Sequence, residues 1–202
     1  MDNYEYLIAG LPVLSMDVSD SDKSDKIYVR GMIDEIRALS SDKDNSLYDL
    51  LLSGYEEENF TPEFYQSMLS HPNAFLREFF RFDLNVRNAK VRYLNDRLGR
   101  PSHQDIFLED EGEFEEEEEV RKVLYGSDLL EREKGLDALM WAKIDELNTF
   151  DYFNVSALLG YIAKLKIIDR WMSLDEDLGR ELFRKLVAEI RGTFKGVEFN
   201  ET

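Results

Sequence analysis

With 202 residues, 43% of them hydrophobic and 12% aromatic, the 23.7 kDa chain has material for one ordinary domain or two small helical lobes, which excludes a coreless, disordered protein. Its 43 acids against 25 Lys+Arg leave a formal net charge of −18 and a pI near 4.5, a balance that repels phosphate backbones and argues against nucleic-acid binding. The absence of cysteine excludes disulfides, a thiolate nucleophile, an iron–sulfur cluster and cysteine-based zinc sites, and fits a reducing cytoplasm.

Residues 4–14, YEYLIAGLPVL, mix aromatic and aliphatic residues with Gly10 and Pro12 and predict a short extended arm or strand. No basic leader precedes them, so a cytoplasmic protein is expected. Residues 16–26, rich in Ser and Asp, read as a surface loop. From Ile27 to Leu39, Val29, Met32, Ile33, Ile36 and Leu39 recur at helical spacing. A shorter helix follows from Ser46 to Ser53, stopped by Gly54. Thr61-Pro62-Glu63 combines an N-cap, a first-turn proline and an acidic first turn, and His71-Pro72 closes the helix that it opens.

The longest helix is predicted from Asn73 to Gly99, roughly 40 Å at 1.5 Å per residue. Phe75, Phe79, Phe82, Val86, Ala89 and Tyr93 form one stripe, and Leu76, Phe80, Leu84, Val91, Leu94 and Leu98 widen it, so more than one side should be contacted. Gly99 and Pro101 mark its end. Residues 109–119, EDEGEFEEEEE, place nine carboxylates in eleven positions. Repulsion should keep that stretch solvated, with its later part opening a helix through Val120, Val123 and Leu124.

Asp128 can cap a helix to Asn148, Asn154 a second through Trp171, and Ser173-Leu-Asp-Glu176 forms a capping box before a last helix carrying Leu178, Leu182, Phe183, Leu186, Val187 and Ile190. The most apolar stretch, Val155 to Ala163, is far shorter than the roughly 20 residues of a membrane span, so any membrane association is expected through partners. The expected architecture is all-α: a multi-helix, two-lobed bundle with one long central helix. Residues 1–108 form the first lobe, 109–119 an acidic linker and 120–202 a C-terminal helical lobe.

No motif in the sequence assigns chemistry. The acidic run lacks the ligand alternation and mid-loop glycine of an EF-hand. His71 precedes a proline at a helix end and His103 sits in a polar loop, common settings for structural histidines. Isolated glycines make no phosphate loop. No catalytic, cofactor-binding or metal-binding residue is therefore assigned, and no cofactor is expected. Trp141 and Trp171 lie among Leu and Ile and read as core, Trp171 anchoring a corner. Asn85 and Asn88, mid-helix between apolar neighbours, are either buried hydrogen-bonding residues or surface ones.

One asymmetry stands out. The long helix carries Arg77, Arg81, Arg87, Lys90, Arg92, Arg97 and Arg100 against only Glu78, Asp83 and Asp96. The neighbouring acidic run could answer that charge within the molecule, or an acidic partner protein could answer it from outside. On the second reading Arg77, Arg81, Arg87, Lys90, Arg92 and Arg97 are the candidate partner-binding residues.

Tyr4-Glu-Tyr-Leu-Ile-Ala-Gly-Leu-Pro12, Arg77-Glu-Phe-Phe-Arg-Phe-Asp-Leu-Asn-Val-Arg-Asn88 and Leu159-Gly-Tyr-Ile-Ala-Lys-Leu-Lys-Ile-Ile-Asp-Arg-Trp171 resemble a bacterial family of unknown function whose genes lie among those of V/A-type ATPases. Such proteins occupy the position in the gene cluster where the C subunit, eukaryotic d, would be expected. The resemblance implies a reduced version of that helical adapter, or an assembly factor, joining the rotor stalk to the membrane proteolipid ring. The C subunit is larger and has a threefold internal repeat, which 202 residues cannot supply in full. The stalk and proteolipid subunits are the partners so implied, and the role is non-catalytic. A free-standing scaffold binding an acidic protein through the basic helix is the second reading, and a carboxylate- or metal-dependent enzyme the third.

Overall fold

The computed structural model of the chain describes residues 4–16, 25–110 and 112–173. Among them are eight α-helices and no strand: α1 (Glu5–Gly10), α2 (Asp25–Ala38), α3 (Asp42–Ser53), α4 (Pro62–Leu69), α5 (Ala74–Leu98), α6 (Glu117–Leu124), α7 (Leu129–Leu147) and α8 (Val155–Ser173), with a 3₁₀ turn at Glu57–Asn59. The fold is all-α, as expected. None of these helices is long and apolar enough to cross a membrane.

Helix ends follow local chemistry. The side chains of Ser41, Thr61, Asn73, Asp128 and Asn154 each accept a hydrogen bond from a backbone N–H two or three residues on, satisfying donors that the first turn leaves open. Because Ser41 is such a cap, α3 starts four residues before the expected Ser46. Gly99 adopts a left-handed conformation with φ 64°, and the bonds from Arg100 N to Asn95 O (2.8 Å) and Gly99 N to Asp96 O (3.2 Å) close α5 in a Schellman motif.

The N-terminal segment is a correction to the expected extended arm: residues 5–10 are helical. Gly10 and Pro12 end the helix instead of extending the chain, and Leu7, Ile8 and Leu11 recur at helical spacing and pack on the core that Tyr4 enters. Tyr4 sits at the start of α3, where its hydroxyl donates to the buried Asp44 and accepts from Ser41 N at 3.2 Å. Burial, then Asp44, raises the Tyr4 phenol above its ordinary value of 10.0.

Two helices organise the core. α8 is apolar nearly all round, and packs against α2, α3, α5 and α7. α5 packs against α4, α6, α7 and α8. The largest hydrophobic cluster joins Tyr48, Leu51, Tyr65, Phe80 and Leu84 to Ile144, Leu158, Leu159 and Ile162, so segments before and after the acidic run share one core. A second cluster sets Phe82 and Val86 of α5 against Val120, Leu124 and Leu136, and a third sets Val29 and Met32 of α2 against Leu165 and Ile168 of α8. α7 and α8 pack together as a hairpin; the capping box beyond Ser173 and the expected last helix lie outside the described residues, as does most of the 16–26 loop. Neither tryptophan is fully buried: Trp171 Nε1 donates to Asp137 at 2.6 Å, and Lys164 lies over the Trp141 ring at 4.6 Å.

Candidate functional site

The six basic residues proposed for partner binding are largely occupied within the molecule. Arg77 and Arg81 flank Glu78 at 3.0 and 2.6 Å, and Arg77 also donates to the His71 carbonyl. Arg81 Nε lies 3.0 Å from Asp110 Oδ2, an ion-pair contact without hydrogen-bond alignment. Arg87 pairs with Asp83 at 2.6 Å and lies over the Phe60 ring. Lys90 faces Glu133 of α7 at 3.7 Å, and Arg92 bonds Glu109 at 3.0 Å. Arg97, exposed near the end of α5, is the one of the six with no partner among the described residues.

Several partners come from the connection after α5, which runs back along the helix. Asn95 donates to Gln104 O at 2.7 Å and Asn88 to Leu108 O at 2.9 Å, and this brings Glu109 and Asp110 against the arginines. The acidic run is therefore divided. Asp110 docks on α5, Glu116 holds Lys143 of α7 at 2.7 Å, and Phe114 packs edge-on against Phe82. Glu113, Glu115 and Glu117 to Glu119 remain exposed, the last three at the N-terminus of α6, where the helix dipole favours acids. Burial alone would lower the Lys143 ammonium, but Glu116 and Glu146 outweigh it and hold the group above its ordinary value.

Two other features emerge from the packing. The first is a cleft of about 420 Å³ between the end of α3, α5, α7 and α8. Its floor is apolar, formed by Phe79, Phe80, Val86, Leu136, Met140 and Ile167, and its wall carries charges from three helices. Asp83 accepts from the Tyr65 hydroxyl as well as from Arg87, and Asp137 accepts from the Trp171 indole as well as from Arg170. Tyr55 stands at the edge of the cleft; burial first, then Asp83 and Asp137, push its phenol far above the ordinary value. Among the described residues no cluster of three or more His, Asp or Glu is arranged to hold a metal ion.

The second feature is an apolar edge. Tyr6 and Val13 of the N-terminal segment are 95% and 99% exposed, and Phe150 of the α7–α8 loop is 87% exposed, with Tyr152 and Phe153 beside it. Tyr4 N donates to Phe153 O at 2.9 Å and the Tyr161 hydroxyl to Pro12 O at 3.0 Å, which holds the N-terminal segment against the loop and α8. Single exposed apolar residues are ordinary; four aromatics and a valine on two segments held together form a larger exposed apolar patch.

Residues 104–193 match the model of a family described as a protein of unknown function, DUF2764. The matched stretch takes in α6, α7 and α8 and includes Leu159–Trp171, whereas Tyr4–Pro12 and Arg77–Asn88 lie before it. No function comes with the match. No curated protein and no solved structure matches the chain.

Sequence reasoning missed both features. The apolar edge depends on hydrogen bonds that join residues roughly 150 positions apart, and the cleft on three helices distant in sequence. The one available signal for the edge was the aromatic density of 150–153 in a segment too polar and short to be a helix.

Proposed function

We propose that this protein is a non-catalytic helical adapter or assembly factor of a V/A-type ATPase, acting between the central rotor stalk and the proteolipid ring. The ATPase assignment rests on the resemblance of Tyr4–Pro12, Arg77–Asn88 and Leu159–Trp171. The observation that carries a binding role is the apolar edge of Tyr6, Val13, Phe150, Tyr152 and Phe153, because these side chains stand in water with no structural task visible among the described residues. Tyr6 belongs to the first resembling segment, so one segment supplies both a core anchor in Tyr4 and an exposed aromatic.

We therefore propose the apolar edge, and not the basic helix, as the partner surface. A scaffold that gripped an acidic protein through α5 would have to displace Glu78, Asp83, Glu109, Asp110 and Glu133 from their cations. Aromatic side chains at the centre of an interface contribute about 2 kcal/mol or more each on truncation.

Affinity capture of the tagged protein from detergent-solubilised native membranes, at low and high salt with mass spectrometry of everything retained, tests the reading. Stoichiometric recovery of stalk and proteolipid subunits is expected. A Phe150→Ser, Tyr152→Ser variant should lose that recovery while its thermal midpoint stays with the parent, since exposed substitutions usually move stability by no more than about 0.5 kcal/mol. Recovery of the protein alone, from a preparation in which the ATPase remains assembled, would remove the proposal.

A further inference from the structure

The cleft between α5, α7 and α8 is unrelated to the apolar edge and raises a separate question. Its volume of about 420 Å³ falls in the range of roughly 300–1,000 Å³ usual for small-molecule sites, and it has the apolar floor with few polar groups that such sites share. The polar groups are arranged by depth. The side chains of Asp83, Asp137 and Asp169 are only 15–18% exposed, whereas those of Lys166, Arg87, Lys90 and Arg170 are 28–45% exposed. A ligand entering from solvent meets cations first.

The acids are also the more committed groups. Asp83 and Asp137 each accept from one cation and one neutral donor, the Tyr65 hydroxyl and the Trp171 indole respectively. The two lysines are not so committed. Lys166 makes a single long hydrogen bond of 3.4 Å to Asp169 and lies over the Tyr55 ring at 5.6 Å, and Lys90 lies 3.7 Å from Glu133 without a hydrogen bond. An ammonium has three donors, so most of the donor capacity of this pair is unused among the described residues.

We propose that the cleft binds a small amphipathic anion: a carboxylate, sulfonate or phosphate head received by Lys90 and Lys166, on an aromatic or aliphatic body laid on the floor of Phe79, Phe80 and Ile167. In a protein of net charge −18 a neutral ligand would need no cations at the mouth, and a cationic one would be turned away by them.

Fluorescence titration with two probes of matched shape tests this: anilinonaphthalene sulfonate, which carries the anionic head, and N-phenylnaphthylamine, which lacks it. One saturable site for the sulfonate is expected, with affinity that falls as sodium chloride is raised while that of the amine does not. In the Lys90→Gln, Lys166→Gln variant the sulfonate should bind about tenfold more weakly and the amine unchanged. Equal sulfonate affinity in that variant overturns the proposal. So does a loss seen only in Leu129→Ser, Leu130→Ser, which would put the dye on the exposed leucines that open α7. Should the lysine variant lose its helical circular dichroism, the salt comparison on the parent protein decides alone, and a response shared by both probes or shown by neither overturns the proposal.

Discussion

The Tyr65 hydroxyl lies where the core meets the cleft. Its ring is fully buried against Phe64 and Phe80, and its oxygen donates to Asp83, which also receives Arg87. Hydrogen bonds to a charged group contribute about 1.5–3 kcal/mol, so Tyr65→Phe should cost about 2 kcal/mol in urea unfolding, without loss of helix content. The same phenol gives a pH signature. Burial first, and Asp83 next, raise Tyr65, and burial also raises Tyr48, both above the ordinary 10.0. A group whose folded pKa lies above its unfolded one stabilises fully below the unfolded value and loses that stabilisation as pH rises. Stability should therefore hold to about pH 10 and fall above it, with tyrosinate absorbance growing together with the loss of helical signal; Tyr65→Phe should make that fall shallower. Asn88 is the second residue to test. Buried at 3% exposure, its amide donates to Leu108 O, and Asn88→Ala leaves that carbonyl open, an expected loss of about 1–2 kcal/mol measurable by thermal or urea unfolding. Neither burial was legible in the sequence: Asn88 lies between Arg87 and Ala89, and Asn95, which makes the equivalent bond to Gln104 O, between Leu94 and Asp96, so each has an apolar residue on one side and a charged one on the other.

At the scale of the element, α5 shows what local sequence determines. Asn73 and Gly99 mark its ends, and both act as sequence rules require, because caps and left-handed turns are set by a few adjacent residues. Gly99→Ala meets no neighbouring atom but forces a side chain into φ 64°, so a loss of about 1 kcal/mol by thermal unfolding is expected. The charge of α5 was countable in sequence; its neutralisation was not, because Glu109, Asp110 and Glu133 reach the helix only after the chain turns back or packs α7 against it. These pairs should differ in strength. Arg92 and Glu109 are 41% and 60% exposed, so a double-mutant cycle should give a coupling below about 0.5 kcal/mol, lost in high salt. Asp110, 11% exposed against Arg81, should couple more strongly and resist salt. α1 was misread for the same reason. Its six residues cannot hold a helix alone, and contacts distant in sequence hold them: the Tyr4 phenol at Asp44, Tyr4 N at Phe153 O, and Leu7, Ile8 and Leu11 on the core.

For the whole molecule, the acidic run invites a division that the packing can be used to test. Glu113, Glu115 and Glu117 to Glu119 are exposed, yet the largest core cluster sets Tyr48, Leu51 and Phe80 against Ile144, Leu158 and Ile162. Each fully buried aliphatic or aromatic side chain contributes roughly 2 kcal/mol relative to exposure, so parting the two segments and leaving Tyr48, Leu51, Tyr65, Phe80, Leu84, Ile144, Leu158, Leu159 and Ile162 in water would cost roughly 18 kcal/mol. That exceeds the roughly 4–15 kcal/mol that association costs in lost translational and rotational freedom. A chain with a rare-cutting protease site inserted after the exposed Gly112 should therefore, once cut, elute from size exclusion as one species with its helical signal retained. Urea should then separate the fragments in the same step that unfolds them, because the shared core gives them no independent stability. Two separately eluting, folded fragments would instead mean that each segment has a sufficient core of its own. Loss of only the Arg81–Asp110 and Arg92–Glu109 contacts, seen as a small drop in midpoint without dissociation, would place the role of the acidic run in closing α5 and not in dividing the molecule.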